Sequence, residues 1–406
     1  MKRTLALGGV AAGLLASALV TQPAAAAGDV ASTPLATTGI AAKNIAAMWL
    51  AENAANLVNA TPYDVETQVV SKHVSTGGPT ADTKPGVVPA IGDEKKTTST
   101  SKNVNLPKTT GKVFFSDGFE NKGTPWWPKW VAKNPHWCTA TSVQSNYRNL
   151  VATAGSCVYN TETNKATLEN WIFVPGYYQG KAPWGVYVGK QAFTHYDYDV
   201  YEDGDRNYAF VTVYNGISLP ANGLADFDKL WQLHGLASFQ EVSEAVAKTY
   251  KYYWKKDGKY YVWKYTDAGR LGDNVGGQGF AYNQKVGQNV YVFGYPSGQH
   301  PDGNQAFTGK TLKWSYGKTF AAKASAIKAE ELIGVKSSFT GEGALGSAWI
   351  AQYKSARRLG YLNGVTIGVS DTDGNKRYDT SVSPYFDGEA YGVYKAAANL
   401  WSGSIA

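Results

Sequence analysis

From Gly111 onward, short apolar, β-prone runs alternate with turn residues, and this rhythm constrains the fold more than any other feature of the chain. Clear examples are Asn149-Leu150-Val151-Ala152-Thr153, Trp184-Gly185-Val186-Tyr187-Val188, Tyr208-Ala209-Phe210-Val211-Thr212-Val213 and Asn289-Val290-Tyr291-Val292-Phe293-Gly294. Two more run through Ser347–Ala351 and Tyr361–Val369. Many short strands at this spacing imply a sandwich or a barrel. Composition agrees, with 27 Tyr, 13 Trp and 44 Gly against only two Met, which favours an all-β class over helical bundles. A closing helix is expected from Gly388 to Trp401 after Ser383-Pro384, with Asp387 as its N-cap.

Upstream the texture differs. Residues 1–27 carry Lys2 and Arg3, a short apolar core from Leu5 to Val20 and small residues at Ala24 to Ala27, the pattern of a secretion signal. The apolar run is too short for a membrane anchor, so the protein is expected to be secreted and extracellular. Within 28–73, Ile40 to Val58 places Ala47, Leu50, Ala51, Ala54, Leu57 and Val58 on one helical face. Residues 74–110 are rich in Ser, Thr, Lys, Pro and Gly and read as a disordered linker. Residues 28–110 are either a propeptide or a tether.

The formal charge is +7, and Lys2 and Arg3 lie in the leader, leaving about +5 spread thinly. No basic cluster interleaved with aromatics is present, which argues against nucleic acid. No zinc-type spacing or phosphate-binding glycine loop occurs, so no metal or cofactor is expected. Asp371-Thr372-Asp373-Gly374-Asn375 departs from the EF-hand pattern in its glycine position and reads as a hairpin loop. Trp126, Trp127 and Trp130 suit core packing, with stacking on a surface glycan as the alternative. Cys138 and Cys157 are the only cysteines; in an exported chain one disulfide is the default and two free thiols the alternative.

Residues 217–270 break the β rhythm. Leu224 to Lys248 has helical spacing, and Tyr252 to Trp263 reads as a hairpin turning at Asp257-Gly258. This stretch is expected as a surface insertion carrying a helix and a hairpin.

Ordered landmarks between Gly111 and Trp401 resemble the chymotrypsin/trypsin-like serine protease superfamily, in its bacterial glutamyl-endopeptidase-like branch. Trp137-Cys138-Thr139-Ala140-Thr141 is similar to the strand before the catalytic histidine, and Thr153-Ala154-Gly155-Ser156-Cys157 to the segment that carries it. Asn207-Tyr208-Ala209-Phe210-Val211 resembles the strand opened by the catalytic aspartate. Val292-Phe293-Gly294-Tyr295-Pro296 and Gly343-Ala344-Leu345-Gly346-Ser347-Ala348-Trp349 resemble the Gly-Tyr-Pro strand and the nucleophile loop. The resemblance implies a double six-stranded β-barrel, over residues 111–406, with the Cys138–Cys157 disulfide bracketing the histidine site.

A serine, a histidine and a carboxylate make the triad. The resemblance puts Ser156, Asn207 and Leu345 at those places, a degenerate set with no base and no nucleophile. Ser347 lacks the glycines that follow a nucleophile, Asp205 would need a two-residue slip, and His136 precedes its strand. His195 and His234 were the other histidines considered near the cleft. On this reading the chain is not an enzyme. Gly343, Leu345 and Ser347 would outline a vestigial oxyanion hole and cleft, where a polypeptide partner is gripped by strand addition. Exported degenerate proteins of this kind resemble adaptor subunits of actinobacterial umbrella toxin particles, although no separate lectin domain is evident here. The alternatives are an active secreted serine endopeptidase with an unrecognised triad and a cell-wall or carbohydrate binder.

Overall fold

A computed structural model describes residues 29–65, 67–92, 104–124, 129–161, 163, 168–218, 231 and 237–405. The leader, Trp126, Trp127, His234 and most of the 93–103 and 219–236 stretches lie outside these residues.

The first half is a closed barrel. Thr110–Ser116 pairs with His136–Val143, which pairs with Leu150–Thr153, which pairs with Ala209–Val213. Ala209–Val213 pairs with Tyr187–His195, that strand with Glu169–Pro175, and Glu169–Pro175 returns to Thr110–Ser116. Six strands thus form a closed ring, the arrangement of a β-barrel. All seven residues of Thr110–Ser116 are buried, because one face packs inside the barrel and the other packs against neighbouring elements.

The second half follows the same plan. Asn289–Gly294 lies between Lys313–Lys318 and Ala348–Lys354, and Ala348–Lys354 pairs with Leu359–Val365. Only Thr319 separates Lys313–Lys318 from Phe320–Ala324, so one bent strand carries the ladder on to Ala329–Lys336 and then to Thr380–Pro384. The seam closes where the Val365 amide donates to Ser383 Oγ at 2.9 Å. The architecture is all-β, a trypsin-like double barrel. The closing helix spans Gly388–Ala398 with the Asp387 carboxylate accepting from the Ala390 amide.

The N-terminal segment is woven into this body. Val30–Pro34 adds an edge strand to Tyr187–His195. The helix Gly39–Val58, capped by Thr38, buries Trp49, Ala46, Ala47 and Leu57 in one apolar cluster with Phe114 and Val174 of the first barrel. Described residues of the stretch expected as a linker over 74–110 pair with the body. Gly86–Val88 pairs with Gly279–Tyr282, and Asp82 accepts from the Gly388 amide.

The insertion departs from its sequence reading. Phe239–Val242 is a strand rather than helix, pairing with Lys259–Trp263, which in turn pairs with Trp254–Lys256 across the Asp257-Gly258 turn. One face of the insertion is packed: Phe239, Trp254, Tyr261 and Trp263 are buried in the cluster that contains Trp49. Aromatic cross-strand contacts override the helical spacing over Phe239–Val242, while Val246 keeps a helical place in the short helix Glu244–Ala247.

Candidate functional site

Cys138 and Cys157 form a disulfide with a Cα–Cα distance of 6.2 Å. It ties the His136–Val143 strand to the one-turn 3-10 helix Gly155–Cys157. Ser156 sits in that turn, nearly buried, and its Oγ has no hydrogen-bond partner among the described residues. Its amide donates to Asn207 Oδ1 at 2.9 Å. Asn207 itself ends the turn Gly204–Arg206. Close packing fixes Gly155, since a Cβ there would lie 2.8 Å from the Tyr198 ring. The backbone frame around the histidine and aspartate places is therefore present, holding a hydroxyl and an amide.

Leu345 lies in the turn that begins at Gly343, where φ is +71°, a region L side chains rarely adopt. Its side chain is 1% exposed and joins the apolar cluster of Cys138, Ala154 and Cys157. Its carbonyl accepts from the Thr139 amide at 2.9 Å. Ser347 is fully buried, and its hydroxyl donates to the Ala344 carbonyl at 2.6 Å. The hydroxyl is thus committed to the loop backbone. Ser156 and Asn207 are brought together, whereas Ser347 is directed away from the cleft and Leu345 packs into the core beneath it.

The other titratable residues weighed from sequence have structural partners. Burial, then the Arg206 guanidinium, holds the His195 imidazole below its usual range. Its Nδ1 accepts from the Asp197 amide, capping the helix Tyr196–Tyr201. Asp205 accepts from the amides of Glu330 and Glu331 at 2.8 and 2.9 Å, and burial pushes its carboxyl up to about 6. His136 Nδ1 meets Thr61 Oγ1 at 3.0 Å. In the 371–379 loop, Asp371 and Asp373 accept from backbone amides of the loop itself, the bonding of a tight turn. Among the described residues no group of three His, Cys, Asp or Glu side chains is placed to hold a metal ion.

Sequence reasoning missed what crosses this site. Thr61–Pro62 pairs in parallel with the His136–Val143 strand, and the Tyr63 carbonyl accepts from the Gly343 amide at 3.2 Å. Further on, the Thr67 carbonyl accepts from the Val369 amide, and the Val69 amide donates to the Val369 carbonyl, each at 2.9 Å. Ser71 donates its amide to Ser370 Oγ at 3.1 Å, and Lys72–His73 pairs with Phe320–Ala324. Gly341 and Gly368 make room, since a Cβ at either would lie within 3 Å of Thr67 or Val69. The cleft expected to receive a partner is lined by the chain's own residues 61–73. The amide assigned to the oxyanion hole already has an acceptor.

No protein-family model matches the chain, and no curated protein does. Solved structures do. The protease Anisep from Arthrobacter nicotinovorans is similar at 21% identity, over 72% of this chain and 97% of that one, with a TM-score of 0.47. A thermostable serine protease, AL20, from an extremophilic microorganism gives 21% identity, 72% and 97% coverage and 0.46. A Glu endopeptidase solved with MPD gives 15%, 76%, 99% and 0.41. At these identities the likeness concerns the fold. One expectation is corrected: the similar structures are those of proteases, so the step from three changed side chains to a chain that is not an enzyme does not stand. What the comparisons give this chain is a fold of the chymotrypsin/trypsin-like kind.

Proposed function

We propose that this protein binds an extended polypeptide by strand addition at the Gly368–Ser370 edge. The observation that carries the reading is the pair of backbone hydrogen bonds between Val369 and residues Thr67 and Val69. An edge that holds one extended segment through main-chain groups accepts another of different sequence, because those groups are common to all residues. Residues 61–73 then act as the internal competitor. The polypeptide they yield to is a partner chain of an exported complex, in which this protein serves as an adaptor.

The test uses the full chain and a fluorescent peptide with the sequence of residues 61–73. Val69→Pro removes the amide that bonds Val369 and weakens the internal competitor. The variant should bind the peptide roughly fivefold or more tighter than the wild type, the worth of about one hydrogen bond. Absence of binding by either protein, each with native circular dichroism, would sink the proposal.

Endopeptidase activity is the second reading. It is favoured by the retained frame, in which the Ser156 amide meets Asn207 and the Gly343 turn is kept. A fluorophosphonate probe separates the two: labelling of a serine puts cleavage first, and an unlabelled protein that binds the peptide leaves recognition alone.

A further inference from the structure

Lys112 stands directly before an apolar run, Val113-Phe114-Phe115. On the Thr110–Ser116 strand its side chain shares a face with Thr110 and Phe114. It is only 3% exposed. Its Nζ lies 3.2 Å from the centre of the Trp137 ring, 4.3 Å from that of Tyr177 and 5.4 Å from that of Tyr295. Among the described residues no carboxylate and no hydrogen-bond acceptor is recorded for it. A buried ammonium with no counter-charge is costly, and the usual outcome is loss of the proton.

This amine lines a cavity of about 440 Å³, within the size range of small-molecule sites. Val58, Pro62 and Trp137 give it apolar walls, and Thr308 and Lys310 also line it. The end of the Gly39–Val58 helix forms part of the wall, so the cavity exists only with the N-terminal segment in place. It is separate from the strand edge at Val369.

We propose that Lys112 is a covalent carbonyl-binding site, its amine forming an imine with a small apolar or aromatic aldehyde held in this cavity. Nζ adds to the carbonyl carbon, its proton passes to the carbonyl oxygen, and the carbinolamine loses water to leave a C=N bond. No oxidant or reductant is needed. Desolvated lysines in apolar pockets are activated for this chemistry. Burial lowers the Lys112 ammonium to about 6, while the three ring faces pull the other way by favouring the cation. The titratable groups facing it are Tyr177 and Tyr295, both pushed upward by burial, and the Lys310 ammonium, which disfavours a second positive charge.

The full chain is treated with benzaldehyde and sodium cyanoborohydride at about pH 6.5, and modified lysines are located by peptide mass mapping. Lys112 should be benzylated roughly tenfold or more faster than any exposed lysine, whose neutral fraction at that pH is about one in ten thousand. Its rate should level off above a midpoint near 6. Lys112→Arg should abolish this labelling. Val58→Trp, which fills the cavity without altering the amine, should slow it by roughly tenfold. An unmodified Lys112 in a sample whose exposed lysines react, or a midpoint in the ordinary lysine range, overturns the proposal.

Discussion

The carbonyl of Tyr63 accepts a hydrogen bond from the amide of Gly343, 280 positions later in the chain and 3.2 Å away. The donor opens the turn that carries Leu345, so the N-terminal segment and that turn report on each other. In hydrogen exchange, the amides of Val69, Val369 and Gly343 should exchange together. Val69→Pro, which has no amide of its own at that position, should lower the protection of Val369 and Gly343 by about 1–3 kcal/mol while leaving the Ala209–Val213 strand unchanged. Independent exchange of Gly343 would show that the segment and the loop are not coupled.

Leu345 is 1% exposed and packs with Cys138, Ala154 and Cys157. Leu345→Ala should cost about 2–5 kcal/mol of unfolding free energy, as other buried leucine truncations do. Denaturant titration measures this directly. A loss below about 0.5 kcal/mol would mean that the loop collapses freely into the space.

The Cys138–Cys157 disulfide closes a loop of sequence separation 19. In the chain-entropy account this contributes roughly 3 kcal/mol. Replacing both cysteines by serine should lower the urea midpoint accordingly, and added reductant should then have no further effect on the variant. A wild-type midpoint that added reductant leaves unchanged would contradict the pairing.

Lys112 gives the chain a signature in pH. Its folded ammonium is lowered to about 6 against an unfolded value of 10.5. Between those values the unfolded state binds the extra proton, so this group's contribution to stability rises with pH across the window. Below about 6 the folded state must carry the buried charge, and the penalty is complete. Lys112→Met removes the group, so its stability advantage over the wild type should be largest near pH 6 and shrink by a few kcal/mol toward pH 10, about 1.36 kcal/mol accompanying each unit before the ring faces are counted. Urea titrations at three pH values test this, and a constant difference would show that Lys112 is charged in the fold throughout.

The barrel strands could be read from the chain because each has local apolar periodicity closed by turn residues. The Ser156–Asn207 relationship was also legible, since short segments on either side carry it. Tyr63 and Thr67 were not, because their contacts to Gly343 and Val369 run through main-chain groups that leave no mark on side-chain pattern. Phe239–Val242 was read as helix for a related reason: its partner across the ladder, Lys259–Trp263, decides its conformation from outside. Lys112 did leave a signal, a lone charge directly before an apolar run, yet only packing shows that its surroundings are three rings and not a carboxylate.

The bond from Ser71 to Ser370 spans 299 residues. During synthesis, residues 61–73 leave the ribosome long before Ala329–Lys336, Gly368–Ser370 and Thr380–Pro384 exist. Helix Gly39–Val58 and the first barrel can form early and hold Tyr63 through the Trp137 carbonyl, but Thr67 to His73 have no strand to pair with until the second barrel is made. Contacts of such sequence separation are slow to form. The last steps of folding therefore fall at the junction of the two barrels, and a nascent chain released early would present an unpaired extended segment to any strand it met.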